Sequence, residues 1–557
     1  MKSSWRPAAW EIPPEVHGHL ARFFRHLRPL FKQRRGISNI LPFQQSLLVK
    51  LKKQDEFLIA RTNKGLGPCA IEFYRYKQDG LVHLNNTSIY QPLTEEEAKQ
   101  EAQDTHKLIY RWVIKHSKVL DGDSKKYILL HTSANSKDPY GYFYLMYKIH
   151  KTPLKTRPVV SDCASITHPL GKWVDTMLQP MAKSMPTYLQ NSFELKEMLD
   201  NFKITHPGTR IFTSDAVGMY TNIKTDLALA RIASYLRDPA TQLQFHHYNA
   251  EALISALEIV MYHNVIKFGD IYRKQISGTI MGTPCAPPWA TLFQGLDERD
   301  NIIPRFQVLL PIFVRYLDDI FGIWVPLSDN QQANDAQWNE FTTAVNTGCL
   351  EWEFEELSKT VNFLDMTINI SGDKFTTTLY EKPMALYLFI SPHSSHPPGI
   401  TPGHVVGEVL RIHRLCSDAN DITKRVCTHF GRQIRRGHQL EILIPLFQKA
   451  MIKAQEFLAK SKPQRAAEKA AKLEEARRRC YFHVTYHPQG PSTHEIQQLF
   501  EEHVLKPVGM TPFNKLGSGD VPLDAMIVAN HRPPNLGNML SYRKICKRNG
   551  PPVSSFV

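Results

Sequence analysis

Three acidic residues carry the strongest chemical signal in this chain. Asp318 and Asp319 stand side by side in Tyr316-Leu317-Asp318-Asp319, and Asp215 closes a short apolar run in FTSDAVGMYTNI, far upstream. Adjacent carboxylates repel, and their pKa values rise unless a cation compensates them. Hard divalent ions such as Mg²⁺ take carboxylate oxygens together with substrate phosphates. A strand-end Asp facing two at a hairpin bend suits two metal ions, one activating an attacking hydroxyl and the other stabilising the leaving oxygen. Alone, Asp215 reads equally well as a strand-end cap and the YxDD tetrapeptide is a weak signal; the combination points to phosphoryl transfer.

Other groups could serve such a site. Lys148 and Arg157 flank the turn in MYKIHKTPLKTRPVV. Two cations on one ribbon could clamp a triphosphate, Arg through its planar fork and Lys as a point charge. Plain surface charge is the simpler reading of either taken alone. Gly282-Thr283-Pro284, within Gly278 to Phe293, reads as a tight turn entering a helix, where backbone can approach a base pair closely. His413, Cys416, Cys427 and His429 could be read as a zinc set, although the Cys-x-His half is tighter than the usual spacing.

These residues need elements to position them. Ile211 to Ser214 reads as a strand, and Phe313 to Val325 as two strands bent at the acids. Tyr140 to Ser161 reads as two β-rich runs about a Pro-containing turn. Val361 to Ile370 and Lys374 to Tyr380 supply further strand. Thr94 starts a helix with acids in its first turn, continuing to His116. Helical pattern returns from His404 to Lys460, and Ala466 to Arg479 is an Ala/Glu/Lys/Arg-rich helix or linker. Ala21 to Arg35 mixes Arg and Lys with Phe and Leu at helical spacing; it could lie on nucleic acid or act as a nuclear address, with a solvated basic face as the plainer reading.

Composition bounds the class. The 557 residues are 42% hydrophobic and 22% charged, which fits a globular protein of several domains. Lys and Arg number 68 against 53 Asp and Glu, a net charge of +15, which suggests a polyanionic partner. The eight cysteines form no CxxC pair, as expected in a reducing compartment. The start lacks an apolar signal core, and no apolar run approaches the ~18 residues a membrane span needs.

The order of basic ribbon, strand Asp, Gly-Thr-Pro turn and YLDD hairpin resembles the fingers and palm of reverse transcriptases, and more narrowly the polymerases of Penelope-like retroelements. The residues carrying that resemblance are NKGLGP (63–68), YKIHK (147–151), TRPVVS (156–161), SDAVGMYTNI (214–223), GTIMGTPCAP (278–287), RYLDD (315–319), NFLDMTI (362–368), YEKP (380–383), SSHPP (394–398), LRIHRLCSD (410–418) and HRPPNLGNML (531–540). The resemblance implies that Asp215 and Asp318 bind two Mg²⁺ ions (Mn²⁺ could substitute) with Asp319 assisting, and that Lys148 and Arg157 hold the incoming triphosphate. It places Tyr220 as an aromatic gate against a ribose 2′-hydroxyl, Gly282 and Pro284 in the nucleotide pocket, Gln275 as a weaker contact and Lys359 as a candidate general acid for the pyrophosphate. Tyr147 stands where the family usually has Pro, Asn63 where Asp is more usual, and WATLF (289–293) departs from the family's pattern. The GIY-YIG endonuclease domain that many such elements carry after the polymerase core is not expected here.

The expected fold is α+β, a right-hand polymerase with an antiparallel palm sheet. Its divisions are a helical N-terminal region (1–110), fingers (111–205), palm (206–385), thumb (386–460), a charged helix or linker (461–480) and a small C-terminal domain (481–557). The expected function is RNA-directed DNA polymerase, with an RNA template, a DNA primer and dNTPs as partners, no membrane, and a nuclear, otherwise cytoplasmic, location. The alternatives are a non-catalytic nucleic-acid-binding relic and an RNA-dependent RNA polymerase. Retention of all three acids argues against the first, and an aromatic at 220 against the second.

Overall fold

The computed structural model describes residues 14–32, 40–53, 56–63, 66–348, 350–477, 479–508 and 525–531. Helices and sheets are mixed, and the described residues fall in two compact units, one within 56–386 and the other within 14–53 and 387–531.

The first unit contains the acids. Arg210–Ala216 lies inside a four-stranded antiparallel sheet ordered Trp352–Phe354, Arg210–Ala216, Asp319–Trp324, Ile312–Tyr316. Its side chains are buried from Ile211 to Ser214 and become exposed only at Asp215. Phe212 anchors the strand among the rings of Trp338, Phe341 and Phe354, with centroids 4.9 to 6.0 Å away. Burying such a side chain contributes ~1.5–3 kcal/mol. Gly322 pairs with Phe212 across the sheet, and a Cβ there would stand 2.2 Å from the phenyl ring, so only glycine lets the hairpin close on this strand.

A five-stranded sheet runs Tyr90–Leu93, Ile271–Gln275, Val265–Phe268, Gly141–Lys148, Lys155–Ser161. The basic ribbon, Gly141–Lys148 with Lys155–Ser161, forms one edge. Along its first strand Phe143, Leu145 and Tyr147 point into a core, while Tyr142, Tyr144, Met146 and Lys148 are half-exposed on the other face. Tyr147 donates to Asp79 at 2.9 Å, which anchors the end of this strand. Helix Glu95–Lys115 begins at a Thr94/Glu97 capping box. Thr360–Phe363, Met366–Ser371 and Lys374–Leu379 form a third, antiparallel sheet.

The first 110 residues are not purely helical: Phe57–Arg61 pairs with Pro68–Glu72, and Tyr90–Leu93 joins the five-stranded sheet. Lys64 and Gly65 of NKGLGP, and HRPPNLGNML beyond His531, lie outside the described residues.

In the second unit, helices Ile400–Leu415, Ala419–Arg435 and Leu440–Ala459 share a core of Val405, Val409, Leu443 and Phe447. Helix Lys462–Arg477 precedes strand Arg479–Thr485. The first helix, Pro14–Lys32, buries Phe23 and Leu27 against Ile496, Phe500, Val504, Met526 and Val528, beside the parallel pair Arg479–Thr485 and Ala525–His531. Among the described residues no helix is long and apolar enough to cross a membrane.

Candidate active site

The sheet register brings the acids together. Asp215 and Asp319 are direct cross-strand partners, and Glu353 opposes Asp215 on its other side. Directly opposed residues of an antiparallel pair hold their Cβ atoms about 4.5–5.5 Å apart. Asp318 occupies the two-residue bend, and its carbonyl accepts from Ala216 N–H at 2.9 Å, tying the bend to the end of the Asp215 strand.

Leu317, the other bend residue, has φ +58°, a left-handed conformation that disfavours a branched side chain. A buried network holds it there. The Arg315 guanidinium donates to the Leu317 carbonyl at 2.9 Å and to Thr291 O at 3.2 Å, and forks onto Glu298 at 2.6 and 3.1 Å. Both partners of that ion pair are essentially sealed from solvent. Glu298 starts a π-helical turn directly after helix Ala286–Asp297 and accepts from Thr187, whose carbonyl receives the Arg315 N–H. The acid bend is thus wired to the helix that follows the Gly-Thr-Pro turn.

Electrostatics mark the cluster as short of positive charge. Burial pushes the Asp319 carboxyl up to about 7, with Asp318 and Asp215 adding repulsion and Lys382 opposing it. Burial also raises Asp215, reinforced by Asp318 and Glu353 and opposed by Lys148 and Arg157. Arg157 pairs with Met146, two residues before Lys148, so both cations project from one face of the ribbon. All the donors are hard carboxylate oxygens, and the surplus negative charge fits Mg²⁺ or Mn²⁺. Among the described residues no three His, Cys, Asp or Glu side chains make a ready-made metal cage. Mg²⁺ usually completes its shell with waters and substrate phosphates.

Tyr220 lies in the short helix Met219–Asn222, mostly buried, within electrostatic reach of Asp318. Its carbonyl accepts from Thr279 N–H at 2.7 Å, and a Cβ on Gly278 (φ +71°) would stand 2.4 Å from that oxygen. Gly282 is exposed, and a Cβ there would meet the Val160 carbonyl of the basic ribbon at 2.0 Å. Pro284 follows it into the turn, next to Gly171 of helix His168–Lys183.

One expectation is corrected. Gln275 is buried and its amide donates to Ser277 O at 2.9 Å, so it braces a turn and is not free to contact a nucleotide. Lys359 follows Ser358, which pairs with Ile211, four residues along the strand from Asp215. Lys382 of YEKP is the lysine whose charge acts on Asp319. The zinc set also fails among the described residues: His413 Nδ1 bonds Val409 O within its own helix, Cys427 is exposed, and His429 is sealed among Phe389, His404 and Phe447. Glu353 and Lys382 were not among the expected site residues. The one signal for Glu353 was its place in the alternating WEFEE.

Comparison with protein-family models and with curated proteins finds no match. Among solved structures, Candida albicans telomerase in complex with a fragment of telomeric RNA is similar at 9% identity and TM-score 0.48, over 74% of this chain and 69% of that one. Apo telomerase from Candida tropicalis aligns at 10% identity and TM-score 0.32, over 57% of this chain and 61% of that one. A BmCPV RNA-dependent RNA polymerase at its elongation state aligns at 13% and 0.35, over 77% of this chain and 35% of that one. These likenesses are remote, and the functional reading rests on the site itself.

Proposed function

We propose that this chain is a template-directed polymerase that adds dNTPs to a primer 3′-hydroxyl on an RNA template, a reverse transcriptase of the Penelope-like kind with a right-hand arrangement of fingers, palm and thumb. The observation that carries the reading is the register of the four-stranded sheet, which opposes Asp215 to Asp319 with Asp318 at the adjoining bend. The family-like motifs in order along the chain support the narrower assignment.

In this reading Asp215, Asp318 and Asp319 hold two divalent ions. When bound, those ions would lower the pKa of the primer hydroxyl and neutralise charge on the departing pyrophosphate. Lys148 and Arg157 bind the triphosphate from the half-exposed face of the ribbon, Arg157 through its fork and Lys148 as a point charge. Tyr220 packs under the sugar and excludes a 2′-hydroxyl. Gly282 leaves room for backbone at the nascent pair. Catalysis is then chiefly positioning and electrostatic stabilisation, as in other phosphoryl transfers.

Primer extension on an RNA template with Mg²⁺ tests this. The wild-type chain should consume dNTPs in preference to NTPs. Asp318→Ala should abolish extension while template binding survives, and equal extension by that variant would refute the site. Tyr220→Ala should admit ribonucleotides; unchanged sugar selectivity would remove the gate. A wild-type preference for NTPs would favour the RNA polymerase alternative.

A further inference from the structure

The first helix, Pro14–Lys32, lies in the second unit and is not part of the acid site. At 100° per residue its buried stripe is Leu20, Phe23, Leu27 and Leu30, fixed against the Ile496, Phe500 and Val504 core. Arg22, Arg25 and Arg28 occupy the opposite, solvent-facing arc of about 120°, and all three are exposed. Phe24 and Phe31 flank that arc on the side of Arg28 and remain 40% and 37% exposed. Phe24 is braced against Phe23 and Phe482, with centroids 5.2 and 6.1 Å away, so its ring is presented and held. Among the described residues none of the three arginines has a carboxylate partner. A solvated helix would normally intersperse acids on such a face.

Guanidinium groups beside exposed aromatic faces match one partner chemistry. Phosphates pair with the arginines, and unstacked bases lie on the rings. A duplex offers phosphates but keeps its bases stacked inside. We infer that the Arg22/Arg25/Arg28 face of the first helix, with Phe24 and Phe31, is a binding surface for single-stranded nucleic acid, separate from the polymerase site. RNA and DNA strands share this chemistry, and the surface does not need the polymerase reading to hold.

The test is fluorescence anisotropy on the full chain across a salt series, with 20-nucleotide single-stranded RNA, the same sequence as DNA, and a blunt duplex. Arg22→Ala/Arg25→Ala/Arg28→Ala should lower the log–log salt slope for single strands by about 2, since each neutralised phosphate contributes ~0.7. Phe24→Ala/Phe31→Ala should weaken single-strand binding at least fivefold at fixed salt, in line with about 1 kcal/mol or more per stacked base. A larger loss for RNA than for DNA assigns the surface to RNA; equal losses assign it to either strand. The milder Arg25→Gln/Arg28→Gln guards against misfolding and should lower the slope by about 1.4. An unchanged slope in both arginine variants, or a loss confined to the duplex, overturns the inference. The anisotropy series is run without Mg²⁺ or dNTPs, so a failure of the polymerase reading leaves this result interpretable.

Discussion

At the scale of single residues, the Arg315–Glu298 pair is the least replaceable polar feature of the described site. Removing one partner of a buried ion pair strands the other charge and typically costs about 3–5 kcal/mol, whereas replacing both with apolar residues is often nearly neutral. Glu298→Gln should therefore destabilise the chain by a few kcal/mol. Arg315→Met/Glu298→Leu should recover most of that loss in denaturant melts. The double variant still lacks the donor to the Leu317 carbonyl, so its kcat should stay depressed about tenfold or more, since a loosely held catalytic group is costly. Recovery of kcat alongside stability would show that the pair only holds the fold. Leu317→Gly complements this test: releasing a branched residue from φ +58° should add about 1 kcal/mol of stability.

Among the elements, the contact between the Gly-Thr-Pro turn and the basic ribbon is set by backbone against backbone. With a Cβ facing Val160 O at 2.0 Å, Gly282→Ala has no flexible side chain to displace. It should cost ~1–3 kcal/mol by overpacking and raise KM for the nucleotide, because the ribbon carrying Lys148 and Arg157 must shift. Steady-state kinetics on a fixed primer–template measures this.

The acid sheet was legible in the sequence because burial gave it a simple pattern: an apolar run ending in Asp215, and two short apolar strands around the paired acids. Other parts were not legible, for identifiable reasons. The place of Lys359 relative to the acids depends on Ser358 pairing with Ile211, a register no local pattern encodes. Gln275 misled because its burial comes from packing remote in sequence. Lys382 sits in a loop, and the alternation around Glu353 spans only a three-residue strand, too brief to stand out from its surroundings.

For the molecule as a whole, the second unit contains a proton-sensitive point. Burial pushes the His429 imidazole down to about 4, and its neighbours are largely rings. Its folded pKa lies below the unfolded value near 6.5, so its neutral form contributes stability that is complete above pH 6.5. That contribution is lost as pH falls toward 4. Thermal melts of the wild-type chain should thus show the second unit weakening between pH 6.5 and 4.5, and His429→Phe should flatten that slope. An identical slope in the variant would assign the acid sensitivity elsewhere.

The packing of the first helix against Ile496, Phe500, Val504, Met526 and Val528 has a consequence for how the protein is made. Leu27 leaves the ribosome hundreds of residues before Ile496 exists to cover it. During that interval an amphipathic segment travels with its Leu20, Phe23, Leu27 and Leu30 stripe uncovered. Burial of its greasy stripe can be completed only late in translation, which makes this small module a marker that synthesis has reached the far strands.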